Sequence, residues 1–203
     1  MGPRAPVELR LTGALSVNDL MWVANTSHGP AAHWHARPRN DEPDHDHLAD
    51  PSGARRYLAD HGVPVPADPP PPDALAGLRA VREAVHGLID APDGAWPAGA
   101  TTLMEQAAFR IDANGGIVAR EDGWPGFVAD LLPPLLAVSG LRDRVGRCGN
   151  PACRLAFLDD TRNGARRWCD PGGCGNRIRV RRARGVARAS ERGAEATKPA
   201  AGG

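Results

Sequence analysis

The chain has 203 residues, of which 41% are hydrophobic, and its formal net charge is +1. This length and composition fit one ordinary domain with a small appendage, although 24 Gly and 20 Pro predict long loops. Residues 142–192 carry 14 Arg against 5 acidic residues, so this region is +9 and the remainder −8. The asymmetry favours a polyanionic partner for the basic region alone.

Composition also argues against a membrane protein. No stretch approaches the ~20 apolar residues of a spanning helix. Glu8, Arg10 and Asp19 interrupt the apolar runs at the start, so no signal-peptide core forms there. We therefore expect a cytoplasmic protein without membrane contact, in a reducing compartment where clustered thiols bind metal more often than they form disulfides.

The first 139 residues predict a mainly helical α+β domain. Alternation in Val7–Gly13 predicts a strand, and Ser16 is the predicted N-cap of the next helix, which buries Val17, Leu20, Met21 and Ala24. Residues 27–51 predict a loop, and 63–73 a stiff Pro-rich connector. Further helices are predicted at 52–62, which starts at Ser52, at 74–91 with Asp73 as N-cap, and after Thr101. The core side of the helix at 74–91 is predicted to carry Leu75, Leu78, Val81, Val85, Leu88 and Ile89.

A hairpin and a bent helix complete this domain. Phe109 and Ile111 alternate before Asn114-Gly115-Gly116, which is a hairpin signal. Residues 127–138 are apolar and predict a helix that bends or breaks at Pro133-Pro134. The predicted layout is a regulatory domain at 1–139, a cysteine module with a basic helix at 140–192, and a disordered tail at 193–203.

All four cysteines lie in the module and form two pairs, Cys148 with Cys153 and Cys169 with Cys174. Four residues lie inside each pair, and fifteen residues separate the two pairs. Two short-range pairs joined by a loop can direct four sulfurs at one tetrahedral zinc ion, which then has no open position for water. Structural zinc is the favoured interpretation, with disulfides or a redox or iron–sulfur role as alternatives. Arg147, Arg166, Arg167 and Arg177 can offset the formal −2 charge of four thiolates around a dication. The sequence between the pairs predicts a hairpin, with "LAFLDD" and "RRW" as its strands and "TRNG" as its turn. Phe157 and Trp168 are its predicted buried aromatic residues.

The run "CGNPACRLAFLDDTRNGARRWCDPGGCGNR" resembles the CGNR zinc-finger family, named for Cys174-Gly175-Asn176-Arg177. Upstream, "LMWVANT" is similar to the ABATE domain that usually precedes this finger, with Asn25-Thr26 at its hallmark position. The resemblance implies a stress-linked transcription regulator that binds DNA through the finger. Asp170-Pro171 stands where the family usually has Ser-Met, and a carboxylate there could weaken an anion contact.

The segment after the last cysteine predicts a DNA-binding helix with Asn176 as N-cap. At 100° per residue, Arg177, Arg181, Arg184 and Arg188 share one face, which suits a phosphate backbone or a major groove. Val180, Ala183 and Ala187 form an apolar strip that could dock on the module. The predicted contacts to double-stranded DNA are these arginines with Arg166 and Arg167. The alternative is a zinc adaptor whose arginines bind a protein or the acidic domain.

Two features of the first domain suggest an effector. Asn25 and Thr26 either line a pocket for a small molecule or cap their helix. Six histidines could bind a transition metal or respond to pH, or could lie in a flexible polar loop without fixed geometry; they are His28, His33, His35, His45, His47 and His61. The sequence contains no nucleophile elbow, phosphate-binding glycine loop or His-Glu-x-x-His helix, so we expect no enzyme; a metalloenzyme built on these histidines is the least favoured alternative.

Overall fold

The computed structural model describes residues 14–29, 44–91 and 96–184. The predicted strand Val7–Gly13, the residues His33, His35, Ala187 and Arg188, and the tail lie outside these ranges. The α+β fold class is confirmed, because helices dominate and the strands form three short antiparallel pairs. None of the helices in the described ranges combines the length and apolar character needed to cross a membrane.

The first helix, α1 (Val17–Ala24), begins as predicted. Ser16 accepts a hydrogen bond from the Asp19 amide, and the Asp19 carboxylate accepts one from the Ser16 amide at 2.7 Å. This capping box satisfies two amides that an α-helix leaves unpaired at its start. Leu20, Met21 and Ala24 are buried as expected, whereas Val17 is half-buried.

The predicted loop at 27–51 contains short elements. Strands β1 (Ser27–His28) and β2 (His45–Asp46) pair antiparallel, and a 3₁₀ turn follows at His47–Ala49. Helix α2 (Pro51–Asp60) is capped by Asp50 and not by Ser52, because the Asp50 carboxylate accepts the Ser52 and Gly53 amides. A proline in the first turn lacks the amide that would otherwise need a partner.

Helix α3 (Pro72–Asp90) is the longest helix described and passes through the core. It starts two residues earlier than expected, with Pro71 as N-cap and Asp73 inside the first turn. Its buried stripe includes five of the six side chains predicted for it: Leu75, Leu78, Val81, Val85 and Leu88. Ile89, the sixth, is partly buried and packs against the same core.

Helix α4 (Ala98–Gln106) begins before Thr101, earlier than the sequence suggests. Strands β3 (Phe109–Ile111) and β4 (Ile117–Ala119) form the predicted hairpin. In its turn Gly115 has φ +81°, a conformation that glycine adopts without steric cost, which explains the Asn-Gly-Gly signal.

The apolar segment at 127–138 forms parts of two helices, α5 (Gly123–Asp130) and α6 (Leu132–Ser139). The break lies at Leu131 and not at Pro133-Pro134. The sequence reading was wrong here because proline is well tolerated in the first turn of a helix, where its missing amide needs no partner. Both helices pack on α3, and α1 packs between α3 and α6.

The cysteine module contains strands β5 (Val145–Arg147) and β6 (Ala156–Leu158) and a final helix, α7, described over residues 176–184. The strands pair across the first cysteine pair, in the register Gly146 to Phe157. The predicted hairpin around "TRNG" was therefore wrong: "LAFLDD" pairs with residues before Cys148. Val145 and Ala156 join the hydrophobic core of the helical body, so the module and the body share one buried interface.

Candidate metal centre and arginine surface

The four cysteine sulfurs lie within 4.8 Å of one another, and all four residues are buried. The Cys153 and Cys169 sulfurs are 3.7 Å apart and no disulfide is formed. Tetrahedral zinc with Zn–S bonds of ~2.3 Å places its sulfurs about 3.8 Å apart. The geometry therefore fits one structural zinc ion held by Cys148, Cys153, Cys169 and Cys174.

A tight turn directs the first two sulfurs. The Cys148 amide donates to the Leu155 carbonyl, and the Asn150 carbonyl accepts the amides of Cys153 and Arg154. Arg154 takes φ +58°, which is rare for a residue with a side chain. The buried Asn150 side chain donates to the Cys174 sulfur at 3.7 Å, so it links the two cysteine pairs. Such a donor orients a ligand and reduces charge on the sulfur.

Cys174 sits in a π-helical turn, Pro171–Gly175, which begins two residues after Cys169 and continues directly into α7. Asp170 caps this turn, because its carboxylate accepts the Gly172 amide at 2.9 Å. Asn176 already has helical angles, so the prediction that it is the N-cap was wrong. The carboxylate at the position that departs from the resembled family is therefore used to start the helix that carries the arginines.

Two glycines make room for Trp168. A Cβ on Gly149 would lie 3.0 Å from the indole ring, and a Cβ on Gly175 would lie 2.9 Å from it. The ring is thus held between the two Cys-Gly-Asn tripeptides, and the Gly149 amide donates to the Arg167 carbonyl beside it. The sequence contains Cys-Gly-Asn twice, at 148–150 and at 174–176. The structure explains the repeat, because the glycine of each tripeptide leaves room for the Trp168 ring.

Without a cation the four thiols share protons. Hydrogen bonds from neighbouring cysteines lower the pKa of Cys148 and, against an opposing effect of Cys148, lower the pKa of Cys174 to about 7. Hydrogen bonding with Cys148 and burial raise the pKa of Cys153 and of Cys169. Two of the thiols therefore ionise more readily than a free cysteine and two less readily, because buried like charges repel. A dication is therefore needed before all four ligands can ionise.

Comparison with known families fits these observations. The family model described as "ABATE: Putative stress-induced transcription regulator" matches residues 23–142, more than half of the chain. The chain belongs to the ABATE family. A CGNR zinc finger matches residues 144–187 and includes all four cysteines. No curated protein matches the chain.

Asn25, at the hallmark position of the ABATE domain, joins this domain to the CGNR finger. Its Oδ1 accepts the Ala156 amide at 2.8 Å and its Nδ2 donates to the Ala156 carbonyl at 3.1 Å. This is how a neighbouring strand would pair with β6, although a side chain does it here. Thr26 is fully buried, and its hydroxyl donates to the Val23 carbonyl at the end of α1.

Asn25 also borders a cavity of about 420 Å³ between α1 and the finger, together with Trp22, Phe157 and Arg166. Thr26 is not among the residues that line it. Because both polar atoms of the Asn25 amide are bonded to Ala156, this side chain has little capacity left for a ligand. Its bonds across 131 residues could not be found from local sequence.

Three further contacts hold the finger on the ABATE domain. The Gly29 amide donates to the Cys153 carbonyl at 2.8 Å, and any Cβ on Gly29 would collide with the Ala152 carbonyl oxygen. Arg147 pairs with Asp90 at the end of α3, at 2.5 Å, and Arg154 pairs with Asp44. Two arginines of the basic region are therefore engaged with the acidic body.

Arg166, a predicted DNA contact, instead stabilises the finger through bonds to other residues of the finger. Its guanidinium donates to the carbonyls of Trp168 and Cys169, pairs with Asp160 and lies 5.3 Å from the Phe157 ring centre. Its amide donates to the buried Asp159 at 2.7 Å. Desolvation opposes ionisation of Asp159, but hydrogen bonds from Thr161 and Arg166 outweigh it and lower its pKa.

The other predicted arginines differ in exposure. Arg167 is exposed, with its guanidinium 5.8 Å from the Trp168 ring centre, and Arg177 is half-buried. Arg181 and Arg184 are exposed on α7, and so are Arg179 and Arg182, which the sequence analysis left out of the DNA-binding set. Arg188 lies outside the described residues. The buried apolar residue of α7 is Ile178, which is 8% exposed, whereas Val180 of the predicted apolar strip is 39% exposed and Ala183 is exposed as well.

Three of the described histidines, His28, His47 and His61, lie around Tyr57. The His28 Nδ1 lies 3.0 Å from the Gly29 carbonyl and therefore carries a proton, so its Nε2 accepts from the His47 Nε2 at 3.2 Å. His47 stacks on Tyr57, and His61 stacks on Trp22 at 4.0 Å. Within the described ranges, only the cysteines bring three or more potential metal ligands together.

His86 on α3 gives stability a pH dependence. Its Nε2 lies 2.9 Å from the Ala24 carbonyl, and its Nδ1 is buried without a partner among the described residues. Burial lowers the pKa of His86 below its usual 6.5; the bond to Ala24 opposes this shift, and the charge of Arg147 adds to it. Below about pH 6.5 the unfolded chain therefore binds more protons at His86 than the folded chain does. The stability that neutral His86 contributes is fully present above about pH 6.5 and is lost as the pH falls through 6.5 toward the pKa of the folded state.

We therefore expect His86→Gln, which can still donate to Ala24, to reduce the loss of Tm between about pH 7 and pH 5.5. Thermal unfolding of the parent and of His86→Gln at each pH measures the loss of Tm. Subtracting one Tm curve from the other removes the effect of all other titrating groups, which the two proteins share. Parallel Tm curves for the two proteins would contradict the prediction.

Proposed function

We propose that this ABATE protein is a transcription regulator and not an enzyme, and that its CGNR finger binds duplex DNA through the arginines of α7. The proposal is supported by the regulator description of the family and by a zinc-ordered scaffold that holds the start of a basic helix. Residues 176–184 contain five arginines and no acidic residue. Such a surface suits a polyanion.

The observation that carries the proposal is the exposure of Arg181 and Arg184. Both lie on one face of α7, in line with Arg177, and neither makes an ion pair or hydrogen bond with the described residues. Other arginines of the finger are already engaged: Arg147 and Arg154 with the body, and Arg166 inside the module. Unpaired guanidiniums on a rigid helix are well suited to phosphate oxygens.

Duplex DNA is favoured over single strands, because single-strand binding uses exposed aromatic rings on which bases stack. Phe157 is buried, and the Trp168 ring is held between Gly149 and Gly175. Arginine also pairs with guanine through two hydrogen bonds in the major groove. The finger therefore offers charge and hydrogen-bond donors without a stacking platform.

The ABATE domain would modulate DNA binding through its interface with the finger. Helix α3 ends at Asp90, which pairs with Arg147 beside the first zinc ligand. The Asn25 side chain holds β6, which follows the second ligand. A change in the position of α1 or α3 would therefore reach the strands that carry the zinc site.

The test is fluorescence anisotropy of the zinc-loaded chain on random duplex DNA at several salt concentrations. We expect log affinity to fall linearly with log salt, with a slope that reports roughly three to six phosphate contacts. In Arg181→Glu/Arg184→Glu we expect affinity to drop roughly tenfold or more and the slope to decrease by about 2.

The matched control is Arg56→Glu/Arg110→Glu, which makes the same charge change at exposed positions of the ABATE domain. This control should bind DNA nearly as the parent does. Equal losses in both double variants would indicate unspecific charge attraction. Absent binding at low salt would instead favour a zinc adaptor whose arginines contact a protein.

A further inference from the structure

A second cavity, of about 340 Å³, lies within the ABATE domain, away from the zinc site. It is a cleft that opens to solvent, where its acidic residues Asp73 and Glu121 are exposed. Its walls come from the start of α3, the end of α4, strand β4 and helices α5 and α6. This volume falls in the range of sites that bind small molecules.

Small side chains create this cavity. Six of its fourteen lining residues are alanine or glycine: Ala74, Gly77, Ala107, Ala108, Ala119 and Ala129. Leu103, Val128 and Leu132 complete an apolar wall. Gly77 lies so close to Val128 that a Cβ would be 2.8 Å from it, so α3 and α5 are in firm contact beside the cavity.

The polar groups around this cavity are acidic or neutral. Asp73 and Glu121 contribute carboxylates, and neither makes a hydrogen bond or ion pair with the described residues. Gln106 ends α4, whose last turn carries no basic residue to offset the partial negative charge of a helix C-terminus. Among the described residues, no Lys, Arg or His lines the cavity.

We propose that this cavity binds a small organic cation, a primary ammonium group on an apolar body. The apolar body would fill the space left by the alanines, and the ammonium would donate to Asp73, Glu121 and the end of α4. The part of the chain that the structure describes places no aromatic ring in the lining, so a quaternary ammonium would lack the ring contacts it prefers. The inference stands whether or not α7 binds DNA.

Calorimetric titration of the zinc-loaded full chain tests the proposal with three probes of similar shape: benzylammonium, benzyl alcohol and benzoate. We expect one benzylammonium per chain with a Kd of about 1 mM or tighter. Benzyl alcohol should bind at least roughly tenfold more weakly, and benzoate should not bind, because only the cation gains from the carboxylates.

Two kinds of variant locate the site. Asp73→Asn/Glu121→Gln should weaken benzylammonium binding at least roughly tenfold, since both charges are removed. Ala129→Leu should block binding by filling the cavity; Ala108→Leu, at a more exposed lining position, replaces it if the first variant does not fold. Glu105→Gln, on the exposed face of α4 and outside the lining, is the control and should bind as the parent does.

Three results would each overturn the proposal. One is the absence of benzylammonium binding to the parent chain at about 10 mM ligand. Another is equal affinity for the three probes. The third is unchanged binding in a folded Ala129→Leu or Ala108→Leu chain. DNA binding enters none of these measurements, so they fail or succeed independently of the DNA proposal.

Discussion

Cys153→Ser is expected to abolish the CGNR finger as a folded unit. Cys153 is fully buried, and serine replaces a soft thiolate ligand by a hydroxyl that binds zinc poorly. A structural zinc ion contributes about 10–16 kcal/mol to the folding of small modules, far more than the few apolar side chains of this finger can supply. Zinc content should fall from one per chain to near zero, and residues 145–184 should become sensitive to protease.

Chelation of zinc from the parent chain provides the matched comparison. The same protease sites should open, and added zinc should close them again in the parent but not in Cys153→Ser. The helical body should stay folded with reduced stability, because the buried stripe of α3 does not depend on the metal. A variant that keeps one zinc ion and the helical circular dichroism of the parent would contradict this expectation.

Asn25→Ala is expected to destabilise the protein by about 2–4 kcal/mol. The substitution removes both hydrogen bonds to Ala156 and leaves the amide and carbonyl of that buried residue without their partner. The cost exceeds that of two ordinary hydrogen bonds, because unsatisfied polar groups stay away from water. Asn25→Asp should also destabilise, since a carboxylate can accept from the Ala156 amide but only repels its carbonyl.

Urea unfolding followed by circular dichroism measures the effect. Asn18→Ala, at an exposed position of the same helix, is the control and should change stability by no more than about 0.5 kcal/mol. If the finger and the ABATE domain unfold together in the parent, Asn25→Ala should separate the two transitions. A loss below about 1 kcal/mol would show that the Gly29 and Arg147 contacts hold the interface without Asn25.

These two predictions rest on different kinds of information. The zinc site could be derived from the sequence, because ligand type and spacing within a few residues determine where the sulfurs of each pair point. The role of Asn25 could not. Resemblance marked its position, but its partner in β6 is 131 residues away, and a lone Asn after a helix is equally consistent with capping.

The same division runs through the rest of the chain. The sequence by itself determined the N-cap of α1, the buried stripe of α3, the Asn-Gly-Gly hairpin and the four zinc ligands, since each depends on neighbours within one or two turns. Only the tertiary structure placed Arg166 inside the finger and made Ile178, instead of Val180, the buried apolar residue of α7. A charged or apolar side chain acquires such a role from groups that folding brings near it. Spacing along the chain carries no record of those groups.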